Sequence, residues 1–253
     1  MRSRTLRYLA LGVLLLSVSA AAVLTLDAFR PLRFRWASKL ILANRQRVVD
    51  AFAILFHAEG DRTYNNLRWL GTPLQKNPMD LWIYQEMLYE VKPDVVVECG
   101  TYKGGTAYYL ARLMDLLDKG RVLTVDIEKH PNLPQHPRIT YLLGSSTAPE
   151  IVGQVRSSIK PGETVLVLLD SDHSMKHVLD ELRLYHGLVT AGSYLVVEDT
   201  HFNGHPILPK FGPGPMEAVE QFLKENQDFR IDPAREKLMF TFNPRGYLVK
   251  RTS

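Results

Sequence analysis

The string Glu98-Cys99-Gly100-Thr101-Tyr102-Lys103-Gly104-Gly105-Thr106 follows the apolar run Val95-Val96-Val97, and Asp126 closes a second apolar run 26 residues beyond Gly100. A strand that ends in a glycine turn lets the backbone approach a ligand closely. An acidic residue at the tip of the neighbouring strand can accept hydrogen bonds from both hydroxyls of a ribose. The spacing departs from the dinucleotide pattern: Gly100 is followed by three residues, then by Gly104 and Gly105, with no third glycine at the required offset. A less tightly wound turn beside the acidic Glu98 suits a nucleoside-like cofactor that carries a sulfonium cation rather than a pyrophosphate. Gly144-Ser145-Ser146 lies just past a third apolar run. There Ser145 either contacts an adenine edge or belongs to a serine-rich turn that caps a helix.

A second constellation is Asp170-Ser171-Asp172-His173, at the end of a fourth apolar run, with Glu198-Asp199 at the end of a fifth. If these runs are adjacent parallel strands, their carboxylates stand side by side and repel one another. A divalent cation is the natural neutraliser, and all-oxygen ligation points to magnesium, calcium or manganese. Asp170 is the first choice of strand-end ligand, together with Glu198 and Asp199, and Asp172 is its alternative. Solvated surface acids are the competing account. His173 stands three residues after Asp170, where an imidazole could take the proton of a substrate hydroxyl near neutral pH. Lys176 and His177, one turn along, are second choices for that role or else a solvated helix face. His201 either reaches the same cavity or merely starts a loop. His57, His130, His136 and His186 fall away from the strand ends and receive no role.

The elements that must position these residues alternate along the chain. The expected order is helix Asp80 to Val91, strand Val95 to Glu98, helix Thr106 to Leu117, strand Val122 to Asp126, strand Ile139 to Leu143 and helix Pro149 to Ser157. Next come strand Val165 to Asp170, helix Met175 to Leu188, strand Tyr194 to Glu198, helix Met216 to Asn226 and closing strands near Leu238 to Phe242 and Tyr247 to Lys250. This predicts an α/β, doubly wound parallel sheet with ligands at the carboxyl ends of its strands. Residues 41 to about 70 carry apolar positions at helical spacing, so N-terminal helices lead into the body. The stretch Thr200 to Pro215 holds four prolines and three glycines, as a substrate-covering loop or a rigid connector would.

With 253 residues, 45% of them hydrophobic, the chain can bury one large core. Its net charge of +4 is uneven: seven basic residues against Asp27 put +6 in the first 40 residues and leave −2 for the rest. That removes support for a nucleic-acid partner, because the basic charge belongs to a terminus rather than to a face of the body. The single cysteine, Cys99, can form no internal disulfide and offers no metal cluster. Nineteen uncharged residues from Tyr8 to Leu26 are just long enough to span a bilayer. The aromatic and basic cluster Phe29 to Trp36 follows as an interfacial belt, so a membrane anchor is expected. A signal peptide cleaved near Val18-Ser19-Ala20, and hence secretion, is the competing account. The expected divisions are an anchor and basic juxtamembrane segment at 1–40, leading helices at 41–92 and a catalytic domain at 93–253.

The strings GTPLQKNPMDLWIYQE, KPDVVVECGTYKGGTAYYLA, LTVDIE, LVLLDSDHSMKHVLDELRLY and GSYLVVEDT span about Gly71 to Thr200. Together they resemble the S-adenosylmethionine-dependent O-methyltransferases of the cephalosporin hydroxylase and rhamnosyl O-methyltransferase family. The resemblance implies a Rossmann-like, seven-stranded methyltransferase sheet and cofactor contacts near Glu98, Gly100, Thr101, Gly104, Asp126 and Ser145, with Asp170 at the cofactor edge. It also implies a divalent metal, magnesium for preference, held by the acids of the fourth and fifth strands. Catechol O-methyltransferase is similar in its metal arrangement, with a basic residue three positions after the first ligand, the place His173 occupies here. The expected activity is methyl transfer to a hydroxyl of a sugar, glycolipid or related metabolite, with the catalytic domain on the cytosolic side of the membrane. Homo-oligomerisation is left open. Two other functions compete. An iron-dependent hydroxylase would need two histidines and a carboxylate, and the only His-x-Glu string is His57-Ala58-Glu59. A membrane-tethered binding protein would keep the fold without turnover.

Overall fold

Val95, Val96 and Val97 are β-branched and wholly buried, so this run has no polar face to give to water and is stable only as a central strand covered on both sides. In the computed structural model, which describes residues 30–252, it is strand β3 (Val95–Cys99) of a seven-stranded sheet. The other strands are β4 (Arg121–Asp126), β5 (Ile139–Leu143), β6 (Val165–Leu169), β7 (Tyr194–Val197), β8 (Phe229–Ile231) and β9 (Tyr247–Lys250). A two-residue antiparallel hairpin, β1 (Arg68–Trp69) and β2 (Thr72–Pro73), precedes them. The sheet order is β5-β4-β3-β6-β7-β9-β8. Pairing is parallel from β5 to β7, and β9 runs antiparallel to both of its neighbours. This is the expected doubly wound α/β architecture.

The helices are α1 (Arg30–Ala43), α2 (Arg45–Ala58), α3 (Pro78–Val91), α4 (Gly105–Leu116), α5 (Pro149–Ser157), α6 (Met175–Tyr185) and α7 (Pro215–Glu225). Alternate strand residues feed two cores. Val95, Val97 and Cys99 join Val155, Leu182, Tyr185 and Phe222 on one face. Val96, Leu166 and Val196 join Ile83, Met87 and Leu110 on the other. Each fully buried aliphatic side chain of this kind contributes about 1.5–3 kcal/mol. Helix α3 shows how local signals set the boundaries: Asn77 accepts a hydrogen bond from the Met79 amide at 3.0 Å, Pro78 opens the first turn, and Lys92 closes it in the left-handed region.

The chain divides between Ala51 and Phe52 into two compact units, so the segment from Phe52 through α3 belongs with the sheet. The apolar stretch Tyr8–Leu26 lies outside the described residues. Among the described residues no helix is long and apolar enough to cross a membrane.

One strand falls elsewhere than expected. The run Leu238 to Phe242 alternates like a strand, but the sixth strand is Phe229–Ile231. The reason is Asp80, buried on α3: its carboxylate accepts from the Thr241 hydroxyl at 2.5 Å, the Phe242 amide at 2.9 Å and the Tyr247 hydroxyl at 2.9 Å. A side chain thus satisfies backbone that a neighbouring strand would otherwise pair. Phe240 and Phe242 are freed to pack edge-on against Phe56 of α2. Burial pushes the Asp80 carboxyl up to about 6 despite these bonds.

Candidate active site

The ladder hydrogen bonds run one residue past the strands and line up the site. The Asp170 amide donates to the Cys99 carbonyl at 2.8 Å, the Glu198 amide to the Leu169 carbonyl at 2.9 Å and the Gly100 amide to the Val125 carbonyl at 2.8 Å. Asp126, Gly100, Asp170 and Glu198 therefore stand in a row along the carboxyl edge of β4, β3, β6 and β7. Gly100 has φ +103°, and a Cβ there would lie 1.9 Å from the Asp170 carbonyl oxygen, so no larger residue fits the crossing.

On one side of this row is a cavity of about 520 Å³ bordered by Gly100, Asp126, Ser145, Asp170, Asp172 and His177, among others. Asp126 is held at its rim, one carboxylate oxygen accepting from the Tyr102 amide at 2.7 Å and the other from the Glu128 amide at 2.9 Å. Ser145 both faces the cavity and turns the chain into α5, its hydroxyl accepting from the Thr147 amide at 3.3 Å. Beneath the floor, fully buried Glu181 accepts from the hydroxyls of Ser146 at 2.5 Å and Ser171 at 2.6 Å. It thereby ties the loop after β5 to the loop after β6. The hydrogen bond to Glu181 raises the pKa of His177.

Three residues of the glycine string sit differently from the cavity wall. Gly104 (φ +75°) turns the chain into α4 and borders neither this cavity nor the one described next. Thr101 is buried, its hydroxyl 2.6 Å from that of Thr124. Glu98 is only 1% exposed and accepts from the Thr124 hydroxyl at 2.5 Å, while its other oxygen is buried without a partner. Burial pushes its carboxyl up to about 8 from an ordinary 4.5, outweighing the Thr124 hydrogen bond and the charge of Lys76. Between those values the folded chain keeps a proton that the unfolded chain has lost, so stability falls as pH rises from 4.5 to about 8. Glu98→Gln, neutral at every pH, is expected to match the parent near pH 5 and to exceed it by on the order of 1–3 kcal/mol at pH 8. Urea denaturation at the two pH values checks this, and an equal increment at both would remove the assignment.

On the other side of the row is a second cavity, of about 300 Å³, whose wall includes His57, Tyr64, Lys76, His173, Asp199 and Phe242. The two cavities meet at Tyr102, Asp170 and Ser171. Here Asp170, His173 and Asp199 each offer an atom within 4.8 Å of the others, and His173 Nε2 lies 3.3 Å from Asp199 Oδ2. Asp199 has φ +55°, a strained position for a residue with a side chain, and its amide is pinned by the side-chain oxygen of fully buried Asn243 at 3.0 Å. The wall is aromatic as well as polar. His201 lies flat on Phe242 with centroids 4.4 Å apart, and burial lowers its pKa to about 4.

Not all the expected ligands gather there. Asp172 leaves the cluster: its carboxylate accepts from the Ser174 amide at 2.7 Å, closing the turn into α6 and facing the larger cavity. Lys176 borders neither cavity. Its side chain is 89% exposed and pairs with Asp180 one turn on at 2.7 Å, as a solvated helix face does. Glu198 stays in line but turns to a partner that the spacing did not reveal. Lys76, 4% exposed, places its ammonium against Asp170 Oδ2 and 2.5 Å from Glu198 Oε2. Burial works against that ammonium, but the charges of Asp170, Glu198 and Asp199 outweigh it and raise its pKa. Burial and the neighbouring Asp170 push Glu198 well up, with Lys76 pulling back. His57, given no role above, also reaches the cavity, with its ring Nδ1 3.1 Å from the Tyr64 hydroxyl. The loop after β7 contributes Phe202 to the wall and is tied down by Glu217, which accepts from Asn203 at 2.9 Å and from the Gly214 amide at 2.7 Å.

Residues 61–251 match the family described as rhamnosyl O-methyltransferase/CmcI. A rhamnosyl O-methyltransferase of Mycobacterium leprae (strain TN) is 42% identical over 215 residues, covering 81% of this chain and 93% of that protein. Among solved structures, a CmcI-N160 apo-structure superposes with a TM-score of 0.58 at 20% identity, covering 75% of this chain and 78% of the other. A cmcI-D160 Mg-SAM structure gives 0.55 at 19% identity, covering 74% and 78%. Those two likenesses concern the fold, whereas the family match at 61–251 takes in the strands, the glycine turn and the walls of both cavities except His57. The chain belongs to the rhamnosyl O-methyltransferase/CmcI family of S-adenosylmethionine-dependent O-methyltransferases.

Proposed function

We propose that the larger cavity takes S-adenosylmethionine, that the smaller takes a sugar hydroxyl, and that methyl transfer occurs where they meet at Asp170, Ser171 and Tyr102. The observation that carries this is that shared wall, with His173 and Asp199 standing on its acceptor side. The cradle at Gly100, which a Cβ would fill, and the Asp126 carboxylate at the end of β4 fit the cofactor. Glu98, Thr101 and Gly104 serve it indirectly by shaping the turn from behind. The donor set also fits a divalent cation: oxygens of Asp170 and Asp199 converge, and Glu198, next to Asp199 in the chain, keeps one buried oxygen without a partner. When bound, the cofactor supplies an electrophilic methyl group and the cation lowers the pKa of an acceptor hydroxyl.

The chain's own residues do the rest. The His173 imidazole accepts the hydroxyl proton, and the Asp199 carboxylate, 3.3 Å from its Nε2, stabilises the resulting imidazolium. His57, Tyr64 and Gln75 present hydrogen-bonding groups, and Phe202 and Phe242 present ring faces. That mixture suits a sugar, which has hydroxyls at its edge and C–H groups on its faces. The M. leprae relative named for rhamnosyl methylation agrees with this acceptor class. The apolar segment Tyr8–Leu26 supports membrane attachment and a lipid-linked acceptor, and the use of S-adenosylmethionine favours a body on the cytosolic side. A hydroxylase is disfavoured, since the donor cluster among the described residues carries one imidazole and two carboxylates rather than two imidazoles.

Full-length protein given S-adenosylmethionine, Mg²⁺ and a panel of rhamnose-containing glycolipids and free glycosides is expected to release S-adenosylhomocysteine together with a product heavier by one methyl group. Tight cofactor binding with no release on any sugar acceptor would overturn the acceptor assignment and favour a binding protein.

A further inference from the structure

Lys76 reaches the carboxylate row from outside the sheet. It precedes Asn77, the buried cap of α3, and follows the β1–β2 hairpin, which packs so tightly on α4 that a Cβ on Gly105 would lie 2.2 Å from the Pro73 carbonyl oxygen. Both ends of its short segment are therefore fixed, and the side chain, 5% exposed, has little freedom to swing into solvent. Its ammonium bridges one oxygen of Asp170 and one of Glu198. These are two of the carboxylates assigned above to a divalent cation, and they approach each other across a single positive charge. A buried pair of ionised carboxylates needs a counter-charge. Lys76 provides it without any ion from solution.

We propose that Lys76 is the resident counter-cation of this cluster: it takes the place between Asp170 and Glu198 that a divalent ion would otherwise share, keeps the row folded without metal, and weakens metal binding by competing for the same oxygens. This rests on the metal reading given above and adds to it a competitor built into the chain. An ion entering beside Asp199 meets two carboxylates already partly neutralised, and gains both in full only by displacing an ammonium that is held from two sides.

The test is Mn²⁺ binding by calorimetry and thermal unfolding with EDTA or with Mn²⁺, on full-length protein and on Lys76→Met and Lys76→Arg. Lys76→Met is expected to bind Mn²⁺ at least tenfold more tightly than the parent, to melt several degrees lower in EDTA, and to recover when Mn²⁺ is added. Lys76→Arg, which keeps the charge, should stay within about threefold of the parent affinity. The parent itself should melt at nearly the same temperature with and without EDTA, a reading that remains decisive if Lys76→Met does not fold. Equal or weaker Mn²⁺ binding by folded Lys76→Met, or a parent that collapses in EDTA, overturns the role of Lys76 alone. Absence of Mn²⁺ binding in both the parent and Lys76→Met removes the metal from the proposed function and this inference with it.

Discussion

Replacing His173 with alanine is expected to lower kcat by about 10²- to 10⁴-fold, the usual worth of a positioned general base, while leaving S-adenosylmethionine affinity within about twofold. The split follows from where the ring stands. His173 borders the smaller cavity, proposed for the acceptor, and is absent from the wall of the larger one, so the cofactor should not register its loss. The ring is oriented by Asp199 at 3.3 Å and by an edge-on contact with Phe202, centroids 5.2 Å apart. Removing it leaves a void on the acceptor side, which exogenous imidazole should partly fill. Release of S-adenosylhomocysteine and cofactor titration by calorimetry measure the two halves separately. Turnover within threefold of the parent would transfer the proton to another group, with His57 and Tyr64 next in reach of the cavity.

Gly100→Ala should be the most damaging small substitution in the chain. Two costs add at one atom. The backbone at φ +103° lies outside the range that a residue with a side chain adopts readily, and the new Cβ would be 1.9 Å from a carbonyl oxygen that itself belongs to the Asp170 crossing. A backbone oxygen cannot rotate away as a side chain can, so β3 and β6 would have to part at the centre of the sheet. A loss above about 4 kcal/mol is expected, in the range that marks a broken structural requirement, together with loss of cofactor binding. Gly153→Ala is the control: it is exposed on α5 with open space around its Cβ position and should be neutral or stabilising by up to about 1 kcal/mol. Urea denaturation of the two variants checks both values. Unfolding midpoints that coincide would mean that the crossing at Gly100 is looser than drawn.

The sheet was legible because its information is local. Val95-Val96-Val97 and Val165-Leu166-Val167 can be nothing but covered strands, and each ends in residues unsuited to continue one. What escaped depends on distance along the chain. Lys76 meets Asp170 across 94 residues and Glu198 across 122, and no spacing rule links them. The crowding of acids at two strand ends did signal a missing positive charge, but that charge could come from a metal or from a lysine. His57, on α2, and Tyr64, just beyond that helix, were hidden in the same way, since nothing in their spacing links them to the strand ends. Asp172, the alternative to Asp170, and Lys176, the second choice to His173, stand apart from the cluster: Lys176 pairs with Asp180 on the solvent side, and Asp172 accepts from the Ser174 amide where α6 begins. The strand expected at Leu238 to Phe242 failed because the buried Asp80 bonds that stretch in place of a neighbouring strand.

The provenance of the two cavity walls bears on how such an enzyme can diversify. The cavity proposed for the cofactor is built from the tips of consecutive strands, where changes disturb the sheet itself. The cavity proposed for the acceptor borrows His57, Tyr64, Gln75 and Lys76 from upstream of the sheet and Phe242 from the connection between β8 and β9. Under that assignment, substitutions in the connecting segments would alter the choice of hydroxyl while leaving the methyl-donor side as it stands.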